Sequence, residues 1–139
     1  MANKYPTKEE ILTTKPDFED GIIWRTSVWR YLIMDNWPAL DNHEKIMSLQ
    51  YLIDSLCYYS KGKRPNVEWG DEYSYDTKKK IITLDTMNPS IISTLHEIGH
   101  HFKGESELLA CQWSVHLFIE IFPDFYRQLQ WKGHLLVKK

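Results

Sequence analysis

The sequence lacks the features that membrane proteins, disulfide-stabilised secreted domains and nucleic-acid-binding proteins need. Its most apolar stretch, Leu108–Phe122, contains a glutamine, a histidine and a glutamate, and therefore falls short of a membrane span. Its two cysteines, Cys57 and Cys111, lie far apart, form no Cys-x-x-Cys pair, and are expected to be buried thiols. The 17 basic and 19 acidic residues give a net charge of −2 without a long basic run, so we expect no nucleic-acid or membrane partner.

Signs of several domains or of export are also missing. No internal repeat, low-complexity tract or Gly/Ser-rich linker divides the chain, and its 139 residues match the usual size of one domain. The first residues lack the apolar stretch of a signal peptide, so we expect a cytoplasmic protein. Six Trp, eight Tyr and five Phe provide enough bulky side chains for one well-packed core. The sequence thus predicts a single domain over residues 1–139.

Two helices are predicted near the start of the chain. Thr7 and Glu10 have the spacing of a capping box, which opens a short helix that Pro16 ends. Residues 17–35 carry apolar side chains at helical spacing and predict a second helix, which ends at the Trp-Pro pair at 37–38.

A third predicted helix is longer and more regular. Asp41 and Glu44 form a second capping-box pattern, and Gly62 and Pro65 are expected to end the segment. Its apolar residues recur at spacings of three and four: Ile46, Leu49, Ile53, Leu56 and Cys57. This periodicity makes it the strongest helix prediction in the N-terminal half.

The middle of the chain has the composition of strands. Residues 66–69, 72–76 and 80–85 are short runs rich in β-branched and aromatic side chains, and turn-forming residues separate them. They predict a small β-meander of about three strands. The strand at 80–85 is expected to be an exposed edge to which an extended substrate can add.

One further helix is predicted directly after these strands. Asn88 is expected to cap it, and Pro89 occupies its first helical position. The helix is expected to run to Lys103, where Gly104 provides a C-terminal stop.

The remainder of the chain is also predicted to be helical. Ser106 can cap a helix over residues 107–121, which Pro123 ends. A short aromatic helix is predicted for residues 124–131. The order of helices, then strands, then helices indicates an α+β domain.

The chemistry of the chain is concentrated in the sequence His-Glu-Ile-Gly-His at 96–100, inside the helix that follows the strands. Residues four apart share a helix face, so His96 and His100 can bind one metal ion. Glu97 lies beside the first histidine, where its carboxylate can accept a proton from an attacking water. Two neutral imidazoles are typical ligands of a catalytic zinc.

A catalytic zinc usually has three protein ligands, so a third must lie elsewhere in the chain. The downstream candidates are His101, Glu105, Glu107, His116 and His134. His101 points about 100° away from the ligand face, and His116 lies half a turn around its helix from Glu107. Glu107 opens a helix whose next residues on the same face are small, so that helix can pack closely on Gly99 and bring the carboxylate to the metal. We therefore prefer Glu107 and keep Glu105, in the turn, as the alternative.

This pattern resembles the gluzincin metallopeptidases. It is most similar to their small members, the minigluzincins and the ImmA/IrrE-like peptidases of phages and mobile elements. The resemblance covers about residues 66–122. It consists of the His-Glu-Ile-Gly-His helix, a Glu-x-x-Ala sequence at the start of the next helix, and a preceding Tyr-Ser-Tyr-Asp segment at 73–76 that is similar to the family's strand.

The resemblance implies a zinc-dependent metallopeptidase. His96, His100 and Glu107 match the family's ligands for one Zn²⁺ per chain, and Glu97 matches its general base. Cys111 stands where these proteins often carry an Asn or Asp that supports a histidine ligand, which implies a different partner for that histidine. The substrate would be a protein or peptide, and the similarity to the ImmA-like enzymes suggests a flexible segment of a regulator.

Two questions stay open at this level. The residue that stabilises the oxyanion is expected to be Tyr73, Tyr75, His101 or His134. The alternative function is a non-cleaving, zinc-containing binding or regulatory module on a peptidase scaffold. The intact Glu97 argues against that alternative, because a site without catalysis does not need a general base.

Overall fold

In the computed structural model, which describes residues 5–58 and 64–139, the chain has the predicted α+β composition. The helices are α1 (Lys8–Thr13), α2 (Ile22–Ile33), α3 (Asn42–Cys57), α4 (Ile91–Lys103), α5 (Glu107–Ile121) and α6 (Pro123–Tyr126). The strands are β1 (Asn66–Gly70), β2 (Ser74–Asp76), β3 (Ile81–Asp85), β4 (Leu129–Lys132) and β5 (Leu135–Lys138). None of the described helices combines the length and apolar character needed to cross a membrane.

The N-terminal helices begin at the predicted caps. Thr7 and Glu10 exchange side-chain to backbone hydrogen bonds of 2.9 and 3.1 Å, and the second capping box, at Asp41 and Glu44, does the same at 3.0 and 2.8 Å. The second helix is shorter than predicted: it begins at Ile22, five residues late, directly after Gly21 at φ 82°, and it ends at Ile33. The predicted end of α3 at Gly62 lies outside the described residues.

The three predicted strands are present, but they do not form a meander. β3 lies in the centre of the sheet, parallel to β1 and antiparallel to β2, so the order is β1-β3-β2. β3 carries Ile82 and Leu84, which are fully buried, and a central position covers them best. The prediction of an exposed edge at 80–85 is therefore wrong, since β1 and β2 occupy both sides of that strand.

The helix that carries the histidine motif begins two residues later than predicted. Ser90, not Asn88, is its N-cap, and the Ser90 hydroxyl accepts a hydrogen bond from the Ser93 backbone N–H. The cause lies in the preceding strand connection: the Tyr73 hydroxyl donates to the Asn88 carbonyl and accepts from the Ser90 N–H, both at 2.8 Å. This bridge holds 88–90 outside the helix. The predicted stop at Gly104, at φ 86°, is confirmed.

The tail is a hairpin where a helix was predicted. After Ser106 caps α5 as expected, the predicted helix at 124–131 is reduced to the single turn of α6. β4 and β5 then pair antiparallel around a two-residue loop whose first residue, Gly133, has φ 63°. Glycine at that position is typical of tight hairpin turns, and it is the signal that the sequence analysis overlooked.

α4 and α5 pack closely against each other at Gly99. A Cβ built at Gly99 would lie 2.9 Å from the Ala110 carbonyl oxygen and 3.3 Å from its Cα. Both atoms belong to the backbone of α5, so a side chain at this position would force the helices apart. The expected packing of α5 on Gly99 is confirmed.

Replacing Gly99 with Ala is expected to lower the free energy of unfolding by about 1–3 kcal/mol, because the added methyl group overpacks the α4–α5 contact. The sign of this change in the free energy of unfolding tests the packing, since Ala in a helix interior normally stabilises a protein by roughly 0.5–1 kcal/mol relative to Gly. Urea unfolding of both proteins measures the change. A more stable variant would show that α4 and α5 can separate without cost.

Candidate metal centre

The predicted ligands His96, His100 and Glu107 lie together where α4 meets the start of α5. Both histidines occupy one face of α4, with ring centroids 4.8 Å apart. The Nε2 atom of His96 lies 3.2 Å from Oε1 of Glu107, and that of His100 lies 2.8 Å from the same oxygen. Nitrogen atoms of two histidines on α4 therefore contact one carboxylate oxygen at the start of α5.

Glu107 reaches the histidines because of the turn between the two helices. Gly104 ends α4, its backbone N–H donates to the His100 carbonyl, and Ser106 then caps α5. Glu105, the alternative ligand, lies within this turn and accepts a hydrogen bond of 3.1 Å from the Thr77 hydroxyl. The structure thus brings Glu107, and not Glu105, to the histidine pair.

The protonation of these groups reflects their mutual contacts. Hydrogen bonds to His100 and His96 hold the pKa of Glu107 far below its usual range. Burial acts to lower the pKa of His100, but its hydrogen bonds with Glu107 and with the Gly104 carbonyl raise that pKa overall. The Glu107 carboxylate and the two imidazoles are held together by hydrogen bonds. A divalent cation can take the place of the shared protons, because the lone pairs of the carboxylate oxygen and of the two nitrogens then bind the ion.

The distances from Oε1 of Glu107 to the two histidine nitrogens are compatible with a shared zinc ion. Ligand atoms around a tetrahedral zinc with bonds of 2.0–2.1 Å are about 3.3 Å apart, close to the 2.8 and 3.2 Å observed. The Nδ1 atom of His100 lies 2.7 Å from the Gly104 carbonyl oxygen, a contact in which Nδ1–H donates and Nε2 keeps its lone pair. The residues present therefore suit a metal with nitrogen and oxygen ligands.

Cys111 is a neighbour of this group that the sequence analysis treated mainly as a buried thiol. It is buried, at 4% exposure, and burial together with Glu107 and Glu97 raises its pKa to about 12. Its Sγ lies 3.8 Å from Nδ1 of His96 and 4.0 Å from Oε2 of Glu107. His96, Glu107 and Cys111 thus form a second possible ligand set, with potential ligand atoms all within 4.8 Å of one another.

The predicted base, Glu97, is turned towards the same site. Only 6% of it is exposed, and its side chain lines a cavity of about 480 Å³. Burial raises the pKa of Glu97, and the nearby histidines reduce this rise without cancelling it. The cavity is lined by Tyr73, Ser74, Tyr75, Thr77, His96, Glu97, His100, Glu105 and Glu107. This lining, as far as the structure describes it, contains three glutamates and no Lys or Arg, which favours a cation.

The other histidines considered as ligands have different partners. His101 lies off the ligand face, with its Nδ1 2.9 Å from the Tyr75 hydroxyl. His116 is held by the Ile11 carbonyl oxygen, 3.0 Å from its Nε2. His134 stacks on Tyr5, with ring centroids 4.3 Å apart.

No family model, curated protein or solved structure matches the chain. The interpretation of the centre therefore depends on its own geometry.

Proposed function

We propose that the protein is a zinc-dependent peptidase in which His96, His100 and Glu107 bind the metal and Glu97 is the general base. The observation that carries this proposal is the convergence of both histidine Nε2 atoms on one carboxylate oxygen, beside a buried glutamate that faces the same cavity. The His96–Glu107–Cys111 set is the second candidate, and it differs in using Nδ1 of His96 and Oε2 of Glu107 and in leaving out His100.

The chemistry proposed for the site is hydrolysis of a peptide bond. Zinc, when bound, supplies Lewis-acid polarisation of the scissile carbonyl and of water. Glu97 accepts the proton of the attacking water and passes it to the leaving amine, so it acts first as base and then as acid.

The substrate is proposed to be an extended segment of a protein, such as a flexible part of a regulator. β2 pairs with β3 along one edge, and its residues Ser74 and Tyr75 line the cavity beside the proposed catalytic groups. A peptide can add to the free edge of such a strand through backbone hydrogen bonds. In this proposal β2, and not the strand at 80–85, is the edge to which the substrate adds.

Among the four candidates for stabilising the oxyanion, we propose Tyr75. Its side chain lines the cavity with the histidine pair, and its hydroxyl is held by His101 at 2.9 Å. The hydroxyl of Tyr73 is already engaged with the Asn88 carbonyl and the Ser90 N–H.

For the compartment we propose the cytoplasm, because both cysteines are buried thiols and thiols persist in reducing surroundings.

Replacing Glu107 with Ala is expected to weaken zinc binding sharply, because it removes a ligand. The loss should exceed the roughly 10–100-fold that is typical when a residue that only hydrogen-bonds to a ligand is replaced. Glu105→Ala is the matched control, since it removes a carboxylate of the same cavity that contacts Thr77 and neither histidine. Competition with a chelating dye measures the affinities, and wild type should bind about one zinc per chain. Loss of zinc by Glu105→Ala with retention by Glu107→Ala would show that the turn supplies the ligand.

Replacing Glu97 with Gln is expected to preserve zinc binding and to reduce hydrolysis of an unfolded protein by about 10²–10⁴-fold, because an amide cannot accept the water proton. Glu105→Gln is the control for changing a cavity glutamate, and it should retain most activity. Cleavage by Glu97→Gln at near wild-type rates would identify another residue as the base. Zinc-loaded wild type that binds a partner without cleaving it would favour the non-cleaving module.

A further inference from the structure

The second helix, α2, is apolar on both its inner and its outer face. The inner face carries Ile22, Thr26 and Trp29, which are buried against the rest of the fold. The outer face carries Trp24 and Tyr31, whose exposed fractions are 69% and 82%. A helix that is apolar all round is normally covered on every side, so the outer face of α2 has the character of an interaction surface.

The outward-facing apolar residues of α2 form one continuous row. Trp24, Val28 and Leu32 follow one another at spacings of four, and Tyr31 lies beside this row, seven residues after Trp24. Leu32 is 56% exposed and Val28 is half-buried. We call these four residues the α2 stripe. None of them lines either of the two cavities next to the metal centre, so the stripe is separate from the proposed catalytic groups.

Opposite charges lie at the two ends of the α2 stripe. Asp35 is exposed and lies one turn after Tyr31, where the backbone still makes hydrogen bonds of helical type. At the other end, the Arg25 guanidinium folds back over the start of the helix. Its Nη1 atom lies 3.5 Å from the Asp20 carbonyl oxygen, in the space that a side chain at Gly21 would fill. A carboxylate thus ends the stripe on one side and a guanidinium on the other.

We propose that the α2 stripe binds a second copy of this chain, with the two copies of α2 packed antiparallel around a two-fold axis at Val28. A two-fold contact requires a surface that is complementary to itself. The stripe meets this requirement, because Trp24 and Leu32 lie four residues before and after Val28, so each Trp24 faces the partner's Leu32. Rows of side chains spaced by four also form the commonest type of helix packing.

The charges at the ends of the stripe favour the antiparallel arrangement. Asp35 lies seven residues after Val28, and the Arg25 guanidinium lies at the level of Gly21, seven residues before it. Each Asp35 therefore meets the partner's Arg25 at the N-terminus of the partner's helix, where a negative charge is stabilising. A parallel pair would instead place the two Asp35 carboxylates side by side.

The exposed area of the stripe sets the expected strength of this dimer. Because a fully buried aromatic side chain covers about 150–250 Å², the exposed parts of Trp24, Tyr31 and Leu32 offer roughly 400 Å² per copy. A standard stable interface buries about 800 Å² on each partner. We therefore expect a weak dimer, with a dissociation constant of about 10–100 µM.

A lipid surface is the other partner that exposed Trp and Tyr side chains could suit. Membrane-binding helix faces are usually bordered by several Lys or Arg residues. The stripe instead ends in Asp35, and the chain carries a net charge of −2. These charges favour a second copy over an anionic membrane.

Sedimentation velocity of the full chain measures the dimer directly and does not depend on metal binding or cleavage. Over a concentration series from about 2 to 500 µM, the wild-type protein should change from monomer to dimer by mass action. A wild-type protein that stays monomeric throughout the series would overturn the proposal.

Two exposed leucines on different helices provide a matched pair of variants. Leu32 belongs to the stripe, whereas Leu109, which is 44% exposed, lies near the start of α5. Leu32→Asp should raise the dissociation constant of the dimer at least tenfold, because it places a carboxylate against the partner's Trp24. Leu109→Asp adds the same charge elsewhere and should leave the dimer unchanged. Equal effects of the two substitutions would contradict the assignment of the stripe.

A pair of variants at Val28 tests the two-fold axis itself. Val28→Asp and Val28→Arg should each be monomeric, because like charges then meet at the axis, and an equimolar mixture of the two should associate again. Thermal melting followed by circular dichroism checks that both variants are folded. A mixture of folded variants that stays monomeric would overturn the antiparallel arrangement. Monomeric wild type that binds phosphatidylserine-containing vesicles, with loss of binding in Leu32→Asp, would assign the stripe to a membrane and overturn the dimer.

Discussion

The contact between Gly99 on α4 and Ala110 on α5 sets the distance between the two helices that carry every proposed metal ligand. His96 and His100 lie on one side of this contact and Glu107 on the other, at the start of α5. With only a hydrogen atom at position 99, the backbone of α5 can approach closely enough for the Glu107 carboxylate to reach both imidazoles.

Two cavities adjoin the proposed metal ligands, and their linings differ in chemistry. The larger cavity borders β2 and carries hydroxyl, imidazole and carboxylate groups, which suit a peptide backbone and a cation. A smaller cavity, of about 180 Å³, borders the hairpin and has the apolar residues Ile92, Val115, Leu135 and Leu136 in its wall. Glu97 lines both cavities.

Local signals in the sequence predicted much of this arrangement. The two capping boxes, the stop at Gly104 and the cap at Ser106 each depend on residues within one helical turn, and all four are confirmed. The grouping of the histidines with Glu107 follows from helix periodicity and from the small residues at positions 99 and 110. These features were readable because the physical cause and its effect lie close together in the chain.

The features that the sequence did not reveal depend on distant residues. The central position of β3 reflects the burial of Ile82 and Leu84 by helices from both ends of the chain. The start of α4 at Ser90 depends on the Tyr73 hydroxyl, 17 residues earlier. The contact of Cys111 with His96 spans 15 residues, and only the packed helices show it.

The central claim is that two histidine nitrogens and one glutamate oxygen bind zinc while the neighbouring thiol of Cys111 does not. X-ray absorption spectroscopy at the zinc edge, on the zinc-loaded protein, measures the ligand atoms directly. We predict a first shell of nitrogen and oxygen atoms alone, at about 2.0–2.1 Å. A sulfur atom at about 2.3 Å would assign the metal to the set that includes Cys111 and contradict the proposed centre.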